Sequence, residues 1–204
     1  MKINIRKKQL ICMAIAVLSA VLLTGVLMER KVQSLQKSMA QEVFRFHVLA
    51  NSDSKEDQAV KMKVKENIIT YLKKQMPETA NVEQTKEWIK VHLNEIENVS
   101  RMTLHVAKSN CNVVAEVTQS YFPDKTYGDI TFPEGNYEAL RVKIGNAEGQ
   151  NWWCVLYPNL CFIDAVHAVV PEEGKNELKN VLEEEEYEMV TALSKFKVKW
   201  FFFQ

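Results

Sequence analysis

An uncharged apolar run of 19 residues near the N-terminus most constrains what this chain can form. The run extends from Leu10 to Met28 and is interrupted only by Ser19, Thr24 and Gly25. At about 1.5 Å per residue, a helix of this length spans roughly 28 Å, close to the thickness of a bilayer's hydrocarbon core. Because the run has no polar face, it is a poor match to the buried core helix of a soluble protein. We therefore predict a transmembrane or signal segment.

The downstream end of this segment leaves two routes of export open. A secretory signal has an apolar region of about 7 to 15 residues, followed by small residues at its cleavage site. No such site directly follows Met28, and the small residues of Ser38-Met39-Ala40 lie well beyond the run. This arrangement favours an uncleaved anchor, with cleavage near Ala40 as the alternative. Either route sends the rest of the chain through the export machinery.

Basic residues on either side of the apolar run indicate its orientation. They are Lys2, Arg6, Lys7 and Lys8 before it, and Arg30, Lys31 and Lys37 after it. Cytoplasmic flanks carry the excess of Lys and Arg. The pattern thus predicts a basic cytoplasmic region 1–9, a transmembrane or signal segment 10–28, a polar stalk 29–41 and an extracytoplasmic domain 42–204.

The charge balance argues against a nucleic-acid-binding protein. Lys+Arg and Asp+Glu both total 26, so the net charge is zero, without the basic excess that a nucleic-acid-binding domain needs. Hydrophobic residues make up 47% and charged residues 25%, which is typical of a folded domain. We expect no nucleic-acid partner, no small-molecule substrate, no cofactor and no metal ion.

Hydrophobic periodicity in residues 42–204 predicts three helices. A turn and capping cluster, Asn51-Ser52-Asp53-Ser54, precedes the first helix. Its apolar stripe recurs at spacing four: Val60, Val64, Ile68, Leu72 and Met76. A second helix is predicted over 81–109, with Asn81 as its N-cap. The third, over 172–191, is acidic, and its run 183–186 predicts a solvated helix face.

Alternating apolar residues predict the strands. They cover 43–48, 113–118, 140–144, 152–157 and a terminal strand 196–202. Short turns between the later strands, including a hairpin connection over 145–150, favour antiparallel pairing with the helices on one face. The expected fold class is α+β: an antiparallel sheet of about four to five strands with two long helices and a third, acidic helix, preceded by the N-terminal segment.

Three long segments carry the most specific sequence information. They are FRFHVLANSDSKEDQAVKMKV at 44–64, YFPDKTYGDITFPEGNYEALRVKIG at 121–145 and NWWCVLYPNLCF at 151–162. In sequence and order these segments resemble the stage II sporulation protein R family. With the leading apolar run, the resemblance covers nearly the whole chain.

The resemblance implies a function in endospore formation. Family members are made in the forespore and exported toward the mother cell, into the intermembrane space. There they are required to activate a membrane-embedded aspartic protease that matures a mother-cell sigma factor. On this interpretation the chain is a membrane-anchored or secreted activator and not an enzyme, and the protease is its partner.

A polar group of residues surrounds the end of the first predicted strand: Arg45, His47, Asn51, Asp53 and Asp57. One interpretation makes this group the contact surface for the partner, since loops at strand ends commonly carry binding. The other is architectural, with Asn51 and Asp53 shaping the turn, Asp57 serving the helix terminus, and Arg45 and His47 in a satisfied polar network.

Two further functions remain as alternatives. An extracytoplasmic hydrolase would use His47 as a base, oriented by Asp53 or Asp57. No Ser or Cys is marked by its local sequence as the nucleophile, so we predict no catalytic residue. A purely structural septal protein would organise the partner without changing its activity.

Two adjacent tryptophans are further candidates for partner contact. Trp152 and Trp153 share a predicted strand and must therefore point to opposite faces. One belongs to the core. The other is either buried under a helix or an exposed aromatic anchor of the kind favoured at interfaces.

Two cysteines flank a predicted turn. Cys154 and Cys161 lie on either side of Tyr157-Pro158-Asn159. If the chain forms a hairpin there, they could form a disulfide, which suits an oxidising exterior; otherwise they are two small buried hydrophobes. A zinc site that adds His167 would lack a fourth ligand.

Overall fold

The computed structural model describes residues 2–78, 81–162 and 170–192. The chain divides into two compact units, Met1–Ser38 and Met39–Gln204. The second unit thus begins slightly before the predicted domain start at residue 42. The predicted terminal strand 196–202 and His167 lie outside the described residues.

Helices and strands occur in separate runs along the described ranges, the order expected of an α+β protein. The elements are α1 Lys2–Glu42, β1 Phe44–Leu49, α2 Lys55–Gln75, α3 Val82–Val91, α4 Leu93–Val106, β2 Val113–Phe122, β3 Lys125–Tyr127, β4 Ile130–Phe132, β5 Gly135–Ile144, β6 Asn151–Tyr157, a 3₁₀ turn Leu160–Phe162, α5 Glu172–Val181 and α6 184–192. The α+β class is confirmed.

Helix α1 contains the apolar run. Its side chains from Leu10 to Met28 are exposed. The hydroxyls of Ser19 and Thr24 donate to backbone carbonyls of the preceding turn at 2.9 and 2.7 Å, which satisfies both groups within the helix. Among the described residues, α1 is the one helix long and apolar enough to cross a membrane. The predicted stalk, 29–41, continues the same helix.

A mixed four-stranded sheet organises the second unit, in the order β2-β5-β1-β6. Strand β1 lies parallel to β5, with Phe46 beside Leu140, and antiparallel to β6, with Phe46 beside Cys154. The sheet is thus mixed rather than wholly antiparallel. The reason is that β1 inserts between β5 and β6, so the turn over 145–150 joins strands that are not neighbours. Strands β3 and β4 form a separate antiparallel pair.

Helix starts follow the predicted caps. The Ser54 hydroxyl accepts the backbone N–H of Asp57 at 3.1 Å at the start of α2. The Asn81 side chain accepts the N–H of Gln84 at 2.9 Å at the start of α3. Each cap satisfies a donor that has no partner inside its helix. Pro77 lies just beyond the end of α2, where a proline stops a helix from continuing.

Two predicted helices are each broken in two. The second predicted helix breaks at His92, which separates α3 from α4, and the third breaks at Leu182, whose backbone is extended. Apolar periodicity continues across both breaks, so the pattern could not reveal them. Within the acidic run, Glu186 is buried, and its Oε2 accepts the N–H of Glu183 at 3.1 Å. That carboxylate caps α6 instead of facing solvent.

Both faces of the sheet are covered, whereas the sequence predicted helices on one face only. Helices α2, α3 and α4 cover one side, which we call the helical face; its core includes Phe44, Phe46, Val48, Ile68 and Leu72. The opposite side, which we call the aromatic face, packs with β3, β4, α5 and α6; its core includes Phe122, Phe132, Tyr137, Val155 and Leu178.

Candidate functional site

Strand β1 directs its two predicted polar residues to the aromatic face. Side chains of a strand alternate between faces, so Phe46 and Val48 enter the helical core. Arg45 and His47 point the other way, and both are buried, at 0% and 3% exposed.

Arg45 lies in a cage of aromatic rings. Its Nε donates to the carbonyl of Cys154 at 3.1 Å and its Nη2 to the Tyr127 hydroxyl at 3.3 Å. Its Cζ stands over three ring centroids: Phe122 at 4.4 Å, Tyr137 at 4.9 Å and Phe132 at 5.3 Å. No carboxylate pairs with it among the described residues, and Nη1 has no hydrogen-bond partner there. Burial lowers the pKa of Arg45, and the π faces stabilise the cation in place of an anion.

His47 is enclosed between two aromatic side chains. Its ring stacks on Trp153, with centroids 5.0 Å apart, and tilts against Phe122 at 5.1 Å. Neither ring nitrogen has a hydrogen-bond partner in the described structure. Burial lowers the pKa of His47 to about 3, and the cations Arg141 and Arg45 act in the same direction. The imidazole is therefore neutral at physiological pH, and no hydrogen bond links it to Arg45 in the polar network that the architectural interpretation expected.

Asn51 and Asp57 form the centre of a polar cluster in the turn between β1 and α2. Asn51 Nδ2 donates to Asp57 Oδ2 at 2.8 Å, and the Ser52 hydroxyl donates to the same oxygen at 2.6 Å. These bonds, the one from Ser52 first, lower the pKa of the Asp57 carboxyl. Asn51 Oδ1 accepts the backbone N–H of Asn146 at 3.0 Å, so the same side chain also holds the turn between β5 and β6.

Asp53 and Lys61 add a second connection between the two turns. Asp53 Oδ1 accepts the N–H of Gln150 at 2.7 Å. Lys61 is buried and donates its Nζ to the Gln150 carbonyl at 2.9 Å and to Gln58 Oε1 at 2.5 Å. Burial lowers the pKa of Lys61, and the nearby Asp53 opposes that change. Asn51, Asp53 and Asp57 thus act together in joining the two turns.

The two turns approach so closely that they require glycine. Gly145 has φ +58°, and a Cβ there would stand 2.1 Å from Asn51 Oδ1. A Cβ on Gly149 would stand 2.2 Å from the Ser52 carbonyl oxygen. Real Cβ contacts are never this short, so the close approach of the two turns explains why both positions are glycine.

The tryptophans lie on opposite faces of β6, as strand geometry predicts. Trp152 packs edge-on against Phe46 at 5.5 Å on the helical face, with Lys65 Nζ 5.2 Å from its ring centroid. Trp153 packs on His47 on the aromatic face. Both are half-buried.

A disulfide joins Cys154 to Cys161, with the Cα atoms 5.5 Å apart. Because Leu160–Phe162 is a 3₁₀ turn, the bridge connects β6 to that turn and not to a second strand of a hairpin. Cys111 is half-buried and carries a free thiol. In the described part of the chain, no three His, Cys, Asp or Glu side chains are grouped as metal ligands.

A row of charged residues beside His47 was not singled out from the sequence. Glu116 Oε1 pairs with Arg141 Nη2 at 3.0 Å and with Lys143 Nζ at 2.8 Å. The hydrogen bond from Lys143 is the largest influence lowering the pKa of Glu116. Alternation on β5 placed Arg141 and Lys143 on one face, but only the pairing of β2 with β5 brings Glu116 between them. The aromatic cage of Arg45 was missed for the same reason.

Comparisons with known proteins match the part of the chain that carries this site. A family model described as stage II sporulation protein R matches residues 40–167, which is more than half of the chain and includes the six strands that the structure describes. Stage II sporulation protein R of Bacillus subtilis (strain 168) is 30% identical over 191 residues, which cover 92% of this chain and 85% of that protein. No solved structure gives a significant match. This chain belongs to the stage II sporulation protein R family.

Proposed function

We propose that this chain is an exported signalling protein of endospore formation. It is made in the forespore, reaches the intermembrane space and is required to activate a membrane-embedded aspartic protease. That protease then processes a mother-cell sigma factor precursor. The chain itself is the activator, and the peptide-bond chemistry belongs to its partner.

Family membership is the observation that carries this proposal. The match begins at residue 40 and includes the sheet, the disulfide and the two turns that Asn51 and Asp53 join, between β1 and α2 and between β5 and β6. The Bacillus subtilis relative is named for stage II of sporulation. A function in that process follows from the shared family, and the activation of a protease is the finer step that we add.

The N-terminal helix supports export. Its exposed apolar run would be stabilised by lipid, and the cluster of basic residues before it favours a cytoplasmic N-terminus. The domain would then lie on the extracytoplasmic side, where a disulfide such as Cys154–Cys161 is stable.

The surroundings of His47 support an activator over a hydrolase. A general base must reach the proton that it removes, directly or through one water. His47 is 3% exposed, and Asp53 is bonded to the Gln150 backbone. The hydrolase alternative required an accessible His47 as base and an Asp53 free to orient it. His47 is instead buried in the core, and Asp53 binds the turn between β5 and β6.

Five of the seven candidate partner contacts retain accessible surface: Asn51, Asp53, Asp57, Trp152 and Trp153. Arg45 and His47 are buried. We assign partner contact to the accessible five and a supporting function to the buried two.

Reconstitution tests the proposed activation. The full chain is inserted into vesicles that hold the protease and its sigma factor precursor, and cleavage of the precursor is measured. We expect faster cleavage with the chain present, and none when a catalytic aspartate of the protease is replaced by Asn. Unchanged cleavage at a saturating amount of folded chain would count against direct activation.

A reporter fusion tests the location. Alkaline phosphatase, which folds to an active enzyme only outside the cytoplasm, is joined after residue 204. We expect an active reporter from the native chain. An inactive reporter with normal protein levels would leave the domain in the cytosol and remove its route to the partner.

A further inference from the structure

Strand β2 forms one border of the sheet, and none of the described strands lies beside its outer edge. It is 10 residues long and pairs with β5 without a register shift. Natural proteins usually protect such an edge with Lys, Pro or a bulge, because it can pair with another chain. The strand sequence VVAEVTQSYF contains neither Lys nor Pro. Within the described residues, this edge therefore lacks these three protective features.

The hydrogen bonds of β2 identify which backbone groups point outward. Just beyond the ladder, the N–H of Gly145 donates to the Asn112 carbonyl at 2.9 Å. Backbone groups of an antiparallel strand point alternately toward and away from the partner, so the odd-numbered residues of β2 face outward. Ala115 agrees with this, because its N–H donates at 2.9 Å to Glu97 of α4.

Glu97 accepts from the outward N–H of Ala115, in the first half of the strand. Farther along β2, the outward backbone groups belong to Val117, Gln119 and Tyr121. Gln119 and Tyr121 are also exposed through their side chains. A strand added along this half of the edge would form hydrogen bonds with the outward N–H and C=O groups of all three residues.

We propose that this edge pairs with the same edge of a second copy of the chain, antiparallel and centred on Gln119. In that register Gln119 lies opposite its own symmetry copy, and Val117 lies opposite Tyr121. The outward N–H and C=O groups of these three residues then bond to one another across a two-fold axis.

The side chains of β2 are self-complementary in this register. The charged residue of the strand, Glu116, lies opposite Phe122 and not opposite another acid. Val117 lies opposite Tyr121, and both side chains are accessible, so each end of the paired segment carries an aromatic–β-branched contact of the kind that stabilises neighbouring strands. Because the same patch serves both copies, the interface is isologous and closes at two chains. An unrelated peptide strand could bond to the same backbone groups, but nothing would then relate its side chains to those of β2. The self-complementary side chains of β2 therefore favour a second copy as the partner strand.

Cysteine cross-linking of the full chain in membrane vesicles tests the register. In a background with Cys12→Ser and Cys111→Ser, Gln119→Cys is treated with a short bifunctional thiol reagent. Directly opposite Cβ atoms lie about 5 Å apart, so a covalent dimer is expected. Val114→Cys is the matched control, since it is exposed on the same strand. Its symmetry copies would lie roughly 30 Å apart, given about 3.4 Å per residue.

We expect at least about ten-fold more dimer from Gln119→Cys than from the control. Equal yields from both variants, which association through α1 alone would give, would overturn the proposal. So would a cross-link from residue 119 to a different protein with no dimer.

A second variant changes the charge at the two-fold axis. Gln119→Lys places two ammonium groups opposite each other in the dimer. The position is exposed in the monomer, so the folded monomer should tolerate the change. Val114→Lys, at another exposed position of the same strand, is its control. Mass measurement of the full chain in lipid nanodiscs should show loss of the dimer for Gln119→Lys only. A dimer that persists in Gln119→Lys would refute pairing through β2.

Discussion

The imidazole of His47 stacks on the indole of Trp153, with ring centroids 5.0 Å apart and planes inclined by 13°. The contact excludes water from one side of the histidine, and Phe122 covers it further. A charged imidazolium is costly there, since no carboxylate bonds to either nitrogen in the described structure. His47 therefore works as a neutral aromatic side chain.

This environment predicts acid sensitivity. The pKa of His47 is about 3 in the folded chain and 6.5 for a solvent-exposed histidine such as that of the unfolded chain, so below pH 6.5 the unfolded chain binds a proton that the folded chain does not. Stability is complete above pH 6.5 and falls toward pH 3, by up to about 1.4 kcal/mol per pH unit. Urea unfolding between pH 7.5 and 4.5 measures it.

The matched control for this experiment is His47→Phe, which keeps the stack and removes the titrating group. Carboxylates and the other histidines contribute equally to both proteins. We expect a shallower pH dependence in His47→Phe. Identical slopes would contradict the buried, neutral histidine.

Gly145→Ala is predicted to destabilise the domain. A Cβ at φ +58° would also collide with Asn51 Oδ1, 2.1 Å away, and so break the bond between the two turns. The cost is about 1–3 kcal/mol, measured by chemical unfolding. Gly25→Ala is the control, since a Cβ there meets no atom within 4 Å. Unchanged stability of Gly145→Ala would disprove the close approach.

Arg45→Ala is predicted to lower the free energy of unfolding by about 3 kcal/mol or more. It empties a fully buried site and leaves the Cys154 carbonyl and three aromatic rings without their cation. Arg101→Ala removes an exposed pair with Glu97 and should cost under about 1 kcal/mol. Similar losses for both variants in thermal and urea unfolding would argue against the aromatic cage.

Reduction of the disulfide is predicted to destabilise the domain by about 2–3 kcal/mol. The Cys154–Cys161 bridge closes a short loop, with a sequence separation of 7, and constrains the unfolded chain accordingly. Adding a reductant should lower the unfolding midpoint of the native chain. It should leave a Cys154→Ser/Cys161→Ser variant unaffected; a response in that variant would assign the effect elsewhere.

Local sequence alone determined the parts of this protein that depend on neighbours along the chain. The apolar run needs no tertiary contact to form a helix of membrane length. Ser54 and Asn81 cap their helices through residues three positions later. Alternation on β1 and β6 placed Arg45 and Trp153 on their faces, because that pattern is a property of a single strand.

Tertiary structure decided what those faces meet. Strand β1 inserts between β5 and β6, which makes the sheet mixed and places His47 between Trp153 and Phe122. The partners of Arg45 come from β2, the β3–β4 pair and β5, all distant in sequence. Strand order depends on long-range pairing that a local pattern does not encode, so one sequence could name the polar residues of β1 but could not show that they are buried.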